Sequence, residues 1–179
     1  MQRISYTRAS EFFDLDYSSI YGHLIWKISN SNRVMVGSIA GNRTKQNYIR
    51  VGVENQHILA HQIVFLLHNG YWPENKIDHR DQIPYHNHPS NLREASQSCN
   101  MYNCGNSKNN TSGVKGVIWN KCKNRWISCI HSNGKRITAG NHKDFDEAVC
   151  HRLALEQCIN YDKCNSNSPA AAYVKNVIQ

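Results

Sequence analysis

A polar segment near the middle of the chain most constrains its fold. Residues 103–112 have the sequence NCGNSKNNTS, in which asparagine, serine and glycine dominate and large apolar side chains are missing. Such a composition favours turns and linkers over helices and strands. The chain has 179 residues, enough for one compact domain or two small ones. The segment therefore predicts two modules with a linker between them.

Short apolar runs before this segment predict strands followed by one helix. Leu24–Ile28 and Val34–Ile39 are typical of short strands, and Tyr48–Val53 alternates apolar and polar side chains with the period of a half-buried strand. The dense apolar stretch from His57 to Leu67 is expected to become helical in its second half. Gly70 supplies a helix stop.

The region after the segment predicts three strands and a helix. The strand candidates are Val114–Trp119, Arg125–His131 and Lys135–Gly140, and Asn133-Gly134 between the last two is a strong hairpin signal. Asp144 with an acid three residues later resembles a helix-capping box, and helical spacing of apolar residues follows. Both halves together predict an α+β fold class.

Positive charge is concentrated in the second half of the chain. Residues 1–100 carry 10 basic and 8 acidic groups, whereas residues 101–179 carry 11 basic and 5 acidic groups. Residues 101–143 contain eight basic side chains and no acid. Such a block suits a polyanion, because each neutralised phosphate releases condensed counterions. A solvated basic face is the alternative, so the charge alone does not identify the partner.

The composition also excludes several classes of protein. No run of about 18 apolar residues occurs, which predicts that nothing crosses a membrane. The first residues lack the apolar segment of a secretory signal, so we expect a cytoplasmic protein. Seven cysteines is an odd number, and in that compartment free thiols are expected.

Four polar residues between positions 78 and 100 suit metal binding next to proton transfer. Asp78 is suited to a hard divalent cation, and the adjacent His79 titrates near neutrality and suits a general base. If two antiparallel strands place Asn91 opposite His79, the Asn91 carboxamide can accept the imidazole N–H and fix the tautomer. Asn100 follows on a short helix that the segment Ser96-Gln97-Ser98 could cap, and it could be the second metal ligand.

The surrounding sequence resembles a known nuclease family. Five blocks carry this resemblance: Ala60–Leu67, Gly70-Tyr71-Trp72-Pro73, Ile77-Asp78-His79, Asn91-Leu92-Arg93-Glu94-Ala95 and Ser98-Cys99-Asn100. In their order and spacing, over roughly residues 20–105, they resemble HNH (ββα-metal) endonucleases, especially phage and mobile-intron members.

The resemblance implies a role for each residue. His79 would be the general base that activates water, with Asn91 orienting it, and Asp78 and Asn100 would hold one Mg²⁺ or Mn²⁺. The metal would polarise the scissile phosphate and stabilise the leaving oxygen. The family leaves 5′-phosphate and 3′-hydroxyl ends. One such site cuts one strand per visit, so a monomer would nick and a homodimer could cut both strands.

The other histidines and the cysteines are weaker candidates for catalytic residues or metal ligands. His86 and His88 are expected to be loop residues rather than metal ligands, and His61, on an apolar helix, a buried hydrogen-bonded residue rather than a catalytic one. The loop at residues 80–89 differs from the Asn-, Gly- and Asp-rich loop of relatives, which puts its substrate contacts in doubt. Some relatives contain a zinc site formed by four cysteines in Cys-x-x-Cys pairs. This chain lacks such pairs, so no structural zinc is expected from its cysteines.

A second resemblance is carried by Asn110–Val117, Trp119, Arg125-Trp126, Gly134–Ile137 and Asp144–Ala148. Over residues 110–158 they resemble the DNA-binding domain of plant ethylene-response factors (the Apetala type), which also occurs fused to phage HNH nucleases. The resemblance implies three strands on one helix, with the sheet in the major groove. The candidate DNA contacts are Lys115, Trp119, Lys121, Lys123, Arg125, Trp126, Lys135 and Arg136. Core packing is an equal alternative for the two tryptophans, as is simple solvation for Lys121 and Lys123.

These expectations combine into one hypothesis, a metal-dependent endonuclease acting on double-stranded DNA. The expected parts are an N-terminal β-rich extension (1–56), an HNH core (57–105), a linker (106–112), a sheet-plus-helix DNA-binding module (113–165) and a flexible tail (166–179). It would be a phage or homing-type enzyme, monomeric or homodimeric, in the bacterial host's cytoplasm. The alternatives are a non-catalytic DNA-binding regulator and an RNA-acting nuclease.

Overall fold

The computed structural model describes residues 3–29, 31, 32 and 34–178. Contacts divide the chain into two compact units, Met1–Ala95 and Ser96–Gln179, hereafter unit 1 and unit 2. The division therefore falls before the helix that Ser96 caps, whereas the sequence places it at residues 106–112. Within the described ranges, no helix has both the length and the apolar character that a membrane crossing requires.

Unit 1 consists of short antiparallel strands around one central helix. Its elements are α1 (Tyr6–Phe12), β1 (Phe13–Leu15), β2 (Leu24–Trp26), β3 (Asn42–Arg43), β4 (Ile49–Val53), β5 (Gln56–Leu59), α2 (Ala60–Asn69), β6 (Lys76–His79) and β7 (Leu92–Ala95). The sheets are β1-β2, β3-β4-β5 and β6-β7. A 3₁₀ turn at Pro89–Asn91 leads into β7.

The core of unit 1 follows from the periodicities in the sequence. The alternation in β4 buries Val51 and Val53, and the apolar face of α2 buries Ile63 and Val64 in the same cluster. Gly70 ends α2 with a φ of 82°, and its N–H donates to the carbonyl of residue 66. The predicted helix and its stop are therefore confirmed.

One strand prediction in unit 1 is wrong. Residues 34–39 form turns, and their β pairing is a single bridge from Ile39 to Ile25. Met35, Val36 and Ile39 are exposed. Among the described residues, the end of the run is joined to β2, where the Trp26 N–H donates to the Ser38 carbonyl and the Gly37 N–H donates to the Trp26 carbonyl. The turn at residues 36 and 37 interrupts the run, so it does not form a ladder.

Unit 2 packs a three-stranded sheet on one long helix. Its elements are α3 (Gln97–Asn103), β8 (Val117–Asn120), β9 (Arg125–Ser132), β10 (Lys135–His142), α4 (Phe145–Cys158) and α5 (Pro169–Tyr173). The antiparallel sheet has the order β10-β9-β8. Asn133 and Gly134 have φ values of 50° and 73°, as a tight hairpin turn requires. Asp144 caps α4 by accepting from the Glu147 N–H, which confirms the predicted helix start. The three strands are present in the predicted order, but β8 begins at Val117, three residues later than predicted.

Two predictions for unit 2 are corrected by long-range contacts. The tail after Asn165, predicted to be frayed, contains α5, whose Ala170 is fully buried in the unit 2 core. The cysteines were all predicted to be free, but Cys99 and Cys164 form a disulfide that closes a separation of 65 residues. Neither pairing has a local sequence signature, because the partners lie far apart along the chain.

Candidate active site

The candidate site is built on the β6–β7 hairpin of unit 1. The strands are antiparallel, with Asp78 opposite Arg93 and His79 opposite Leu92. The Arg80 N–H donates to the Asn91 carbonyl at 2.9 Å, which extends the pairing by one residue. The expected antiparallel arrangement of these two blocks is present, with a long loop between them.

Asp78 is a buried carboxylate with a compensating cation. Its side chain is 7% exposed, and both Nε and Nη2 of Arg93 donate to its Oδ2, at 3.0 and 2.8 Å. Burying the carboxylate without a cation would cost several kcal/mol, about as much as breaking a buried ion pair. Arg93 therefore allows a charged carboxylate to persist next to His79.

His79 is held in one tautomer by a neighbouring amide. Its Nε2 lies 3.1 Å from Asn87 Oδ1, and since a carboxamide oxygen only accepts, Nε2 donates. Nδ1 is then the nitrogen that carries the lone pair. Burial lowers the pKa of His79, although the bond to Asn87 and the nearby acids oppose the shift. The ring is therefore neutral at neutral pH, as a general base must be.

Asn91 makes different contacts from those predicted. Its Oδ1 accepts from the Asp81 N–H at 3.1 Å, and its Nδ2 donates to Asp81 Oδ1 at 2.9 Å and to the His86 carbonyl at 2.7 Å. Because Leu92 is the register partner of His79, Asn91 lies one residue out of register, beside the loop. The carboxamide predicted to accept the imidazole N–H instead holds the loop.

Sequence reasoning missed the residue that accepts the hydrogen bond from His79 Nε2. Asn87 is 2% exposed and lies between two histidines in the loop. His86 Nδ1 is 2.6 Å from Asp81 Oδ2, and His88 Nδ1 is 2.7 Å from Ser90 Oγ. The flanking histidines thus stabilise the loop, while the asparagine between them turns inward. No spacing rule identifies it, because loop geometry decides which side chain reaches His79.

His61 lies against the ring of His79. The two rings meet edge to face at 5.1 Å between centroids, and Tyr48 is 5.5 Å from His61 and 6.0 Å from His79. Burial, and then the His79 charge, lowers the pKa of His61 to about 3. The expectation of a buried histidine is met, but Nδ1 has no hydrogen-bond partner. His61 supplies an uncharged surface for the His79 ring to pack on.

The N-terminal extension holds the loop that carries Asn87. The Asn87 N–H donates to the Tyr21 carbonyl at 3.0 Å, and the His88 N–H donates to the Ile20 carbonyl at 3.3 Å. Gly22 lies directly against this backbone with a φ of +52°, and a Cβ there would be 2.4 Å from His88 N and 2.5 Å from Asn87 C. Only glycine fits this approach.

Residues 59–102 match the family model of HNH endonucleases. This HNH segment contains α2, the β6–β7 hairpin and most of α3. Sixty residues of the chain are 38% identical to Protein 3.8 of Escherichia phage T7, over 34% of this chain and 50% of that protein. The chain thus spans half the length of this curated relative. No solved structure matches the chain. The HNH segment supports nuclease activity and a nucleic acid as the substrate class.

The last predicted ligand of the HNH segment, Asn100, lies on α3 in unit 2. The helix begins as predicted, with the Ser96 hydroxyl accepting from the Cys99 N–H at 3.1 Å. Asn100 is half-buried, and its role as a metal ligand stays a prediction.

Two of the predicted DNA contacts in unit 2 have structural partners. Lys115 Nζ donates to the carbonyls of Met101 and Cys104 at 2.7 and 3.0 Å, and burial lowers its pKa. Two of the three donors of its ammonium are thus bonded within unit 2, which makes Lys115 a weaker candidate, and its contact with DNA stays a prediction. Trp126 packs against Phe145 with 4.8 Å between ring centroids, which favours the core-packing alternative. Trp119 contacts Trp126 and is 37% exposed.

The remaining predicted contacts are basic residues at the two ends of the sheet, which we define together as the basic surface: Lys121, Lys123, Arg125, Lys135 and Arg136. All are exposed except Arg125, which is half-buried. The Ser128 hydroxyl donates to the Ala148 carbonyl, so this position of β9 faces α4. Arg125 lies three positions before Ser128 on β9. Arg136 of β10 is the register partner of His131, which lies three positions after Ser128. Strand alternation therefore directs both arginines away from α4.

Proposed function

We propose that the protein is a divalent-metal-dependent DNA endonuclease of the HNH type, with the chemistry on the β6–β7 hairpin and DNA binding by unit 2. One observation carries the proposal. Within the HNH segment, a neutral His79 with its Nε2–H bonded to Asn87 lies next to a buried, charge-compensated Asp78.

The oxygen donors proposed for the HNH segment suit a hard cation. Asp78 offers a carboxylate buried at 7% exposure, and the sequence resemblance supports the amide oxygen of Asn100 as the second ligand. Oxygen donors of this kind are preferred by Mg²⁺ and Mn²⁺. A cation held by Asp78 would neutralise charge at the scissile phosphate.

The protein's own groups supply the proton transfer. His79 accepts a proton from water at Nδ1, because Nε2 is already protonated and bonded to Asn87. The imidazolium that forms is stabilised by that bond and by the charges of Asp78 and Asp81. Asn91 holds Asp81 and the loop in place, so it acts on His79 indirectly.

Unit 2 supplies the electrostatic attraction. Its basic surface is formed by β8, β9 and β10 and the turns between them, within a stretch of eight basic groups and no acid. The likeness to the Apetala-type domain supports binding of double-stranded DNA by this sheet. With one histidine site per chain, a monomer nicks, and cutting both strands requires a second copy or a second encounter.

The test is cleavage of supercoiled plasmid with Mg²⁺ or Mn²⁺, with EDTA as a control. We expect wild type to nick the plasmid and His79→Ala to lose about 10²–10⁴-fold in rate, the range for loss of a general base. His57→Ala, which removes an exposed histidine of the same unit, should cleave like wild type.

Two results would contradict the proposal. If wild type and His79→Ala leave the plasmid equally intact and both retard it on a gel, the protein is a DNA-binding regulator. If RNA is cleaved in preference to duplex DNA at matched salt, the protein is an RNA-acting nuclease. Circular dichroism of each variant excludes misfolding as the cause.

A further inference from the structure

Three potential metal ligands meet in unit 2, where β10 ends and α4 begins. His142, Glu147 and His151 each offer one ligand atom, and these atoms all lie within 4.8 Å of one another. His142 Nδ1 is 3.3 Å from Glu147 Oε1, and the rings of the two histidines stack with 4.4 Å between centroids.

The local sequence explains the cluster. His142 is the last residue of β10, and Asp144 starts α4 by accepting from the Glu147 N–H. Glu147 and His151 are four residues apart on α4, so their side chains lie on the same face. The pattern His-x₄-Glu-x₃-His thus places a strand-end histidine next to two ligands at helical spacing.

One ring nitrogen of His142 has no hydrogen-bond partner among the described residues. Its side chain is 6% exposed, and its Nε2 is buried without a hydrogen-bond partner. A buried polar atom in this state costs stability, and a metal ion is one of the recognised explanations. The other acids of this segment have structural roles, because Asp144 caps α4 and Asp146 accepts from the Tyr173 hydroxyl at 2.7 Å.

We propose that His142, Glu147 and His151 bind one Zn²⁺, with water in the fourth position. Two imidazoles and a carboxylate are a common donor set for zinc, whereas Mg²⁺ and Ca²⁺ prefer oxygen ligands. Zinc bonds of about 2.0–2.1 Å in a tetrahedron put ligand atoms roughly 3.3 Å apart. Glu147 and His151 are exposed, so rotation of their side chains can bring the ligand atoms to this separation.

The ion would connect the end of the sheet to the first turns of α4. This site involves none of the cysteines on which the sequence argument against a structural zinc was based. It is also independent of the proposed nuclease function, because the Asp78 and His79 chemistry belongs to unit 1.

The experiment is a zinc titration of the full chain by calorimetry, with Mg²⁺ in excess. Glu147→Gln and His151→Ala should each bind one tight zinc fewer than wild type, with affinity at that site reduced about 100-fold or more. Both residues are exposed, so the variants should fold. His79→Ala should retain this zinc, which separates it from any binding at the unit 1 site.

Two matched controls and a spectrum complete the design. His131→Ala removes another exposed histidine of unit 2, and Cys150→Ser removes the thiol next to His151; neither should change zinc binding. Co²⁺ in place of zinc should give a tetrahedral visible spectrum without a thiolate charge-transfer band. The proposal is overturned if Glu147→Gln and His151→Ala bind as many zinc ions as wild type, if wild type binds none tightly, or if Cys150→Ser alone removes the site.

Discussion

Both units bury an arginine beside a carboxylate, but they surround the pair differently. In unit 1 the pair is Asp78 and Arg93, with side chains 7% and 14% exposed, and His79 is the next residue of the strand. In unit 2 the pair is Arg152 and Glu156, 2% and 6% exposed.

The pair in unit 2 is surrounded by further polar and aromatic groups of the same unit. Arg152 Nε donates to the Lys115 carbonyl at 2.7 Å, the Ser168 hydroxyl donates to Glu156, and the guanidinium lies 5.3 Å from the centre of the Tyr161 ring. Burial raises the pKa of Glu156 despite these partners. The same kind of ion pair therefore stabilises the core of unit 2, whereas in unit 1 it lies beside the proposed general base. The neighbouring groups distinguish the two pairs.

The largest effect is expected for Asp78→Asn, which should slow DNA cleavage. Loss of the carboxylate charge removes a proposed metal ligand, so the cleavage rate should fall about 10³-fold, equivalent to several kcal/mol of transition-state stabilisation. Plasmid affinity in a gel shift should remain, since unit 2 is unchanged. Asp14→Asn, an exposed acid of the same unit, is the control. Normal cleavage by Asp78→Asn would mean that the Asp78–Arg93 pair has a structural role, as the Arg152–Glu156 pair does.

Arg152→Met should act on stability rather than chemistry. Removal of the guanidinium leaves Glu156 buried without its cation, and breaking such a pair costs about 3–5 kcal/mol. Urea unfolding followed by circular dichroism measures the change, with Lys175→Met as the exposed control. Adding Glu156→Gln to Arg152→Met should recover part of the loss. An unchanged unfolding midpoint would show that the network does not hold unit 2 together.

Gly22→Ala should impair catalysis with a smaller effect on stability. A methyl group there collides with the backbone at Asn87 and displaces the acceptor of His79. A misplacement of about 1 Å can cost on the order of 10²-fold in rate. Gly37→Ala is a matched control, because its φ of +82° imposes similar backbone strain while nothing lies within 4 Å of the added Cβ. Equal plasmid-nicking rates for the two variants would remove the proposed link from Gly22 to His79.

The smallest effect is expected from the basic surface of unit 2. Arg136→Ala should weaken DNA binding and reduce the slope of log affinity against log salt by about 1. Lys115→Ala should leave that slope unchanged, because the Lys115 ammonium already binds two carbonyls. Gel shifts over a salt series measure both. A reduced slope for Lys115→Ala as well would return Lys115 to the DNA surface.

Local patterns in the sequence predicted what depends on neighbours along the chain. The period of α2, the Asn133-Gly134 turn, the Asp144 cap and the order of the blocks around Asp78 and His79 are local features, and the structure contains each of them. The match of residues 59–102 to HNH endonucleases supports the nuclease assignment made from those blocks.

Only the tertiary structure decided which distant groups meet. It brings Asn87 rather than Asn91 to His79, turns Lys115 inward, joins Cys99 to Cys164 and orders α5 against the unit 2 core. Each of these depends on a loop path or a contact between residues far apart in sequence, so periodicity and turn chemistry carry no information about them. The sequence by itself determined most of the elements and indicated nuclease chemistry, while packing determined which side chains meet at the proposed site.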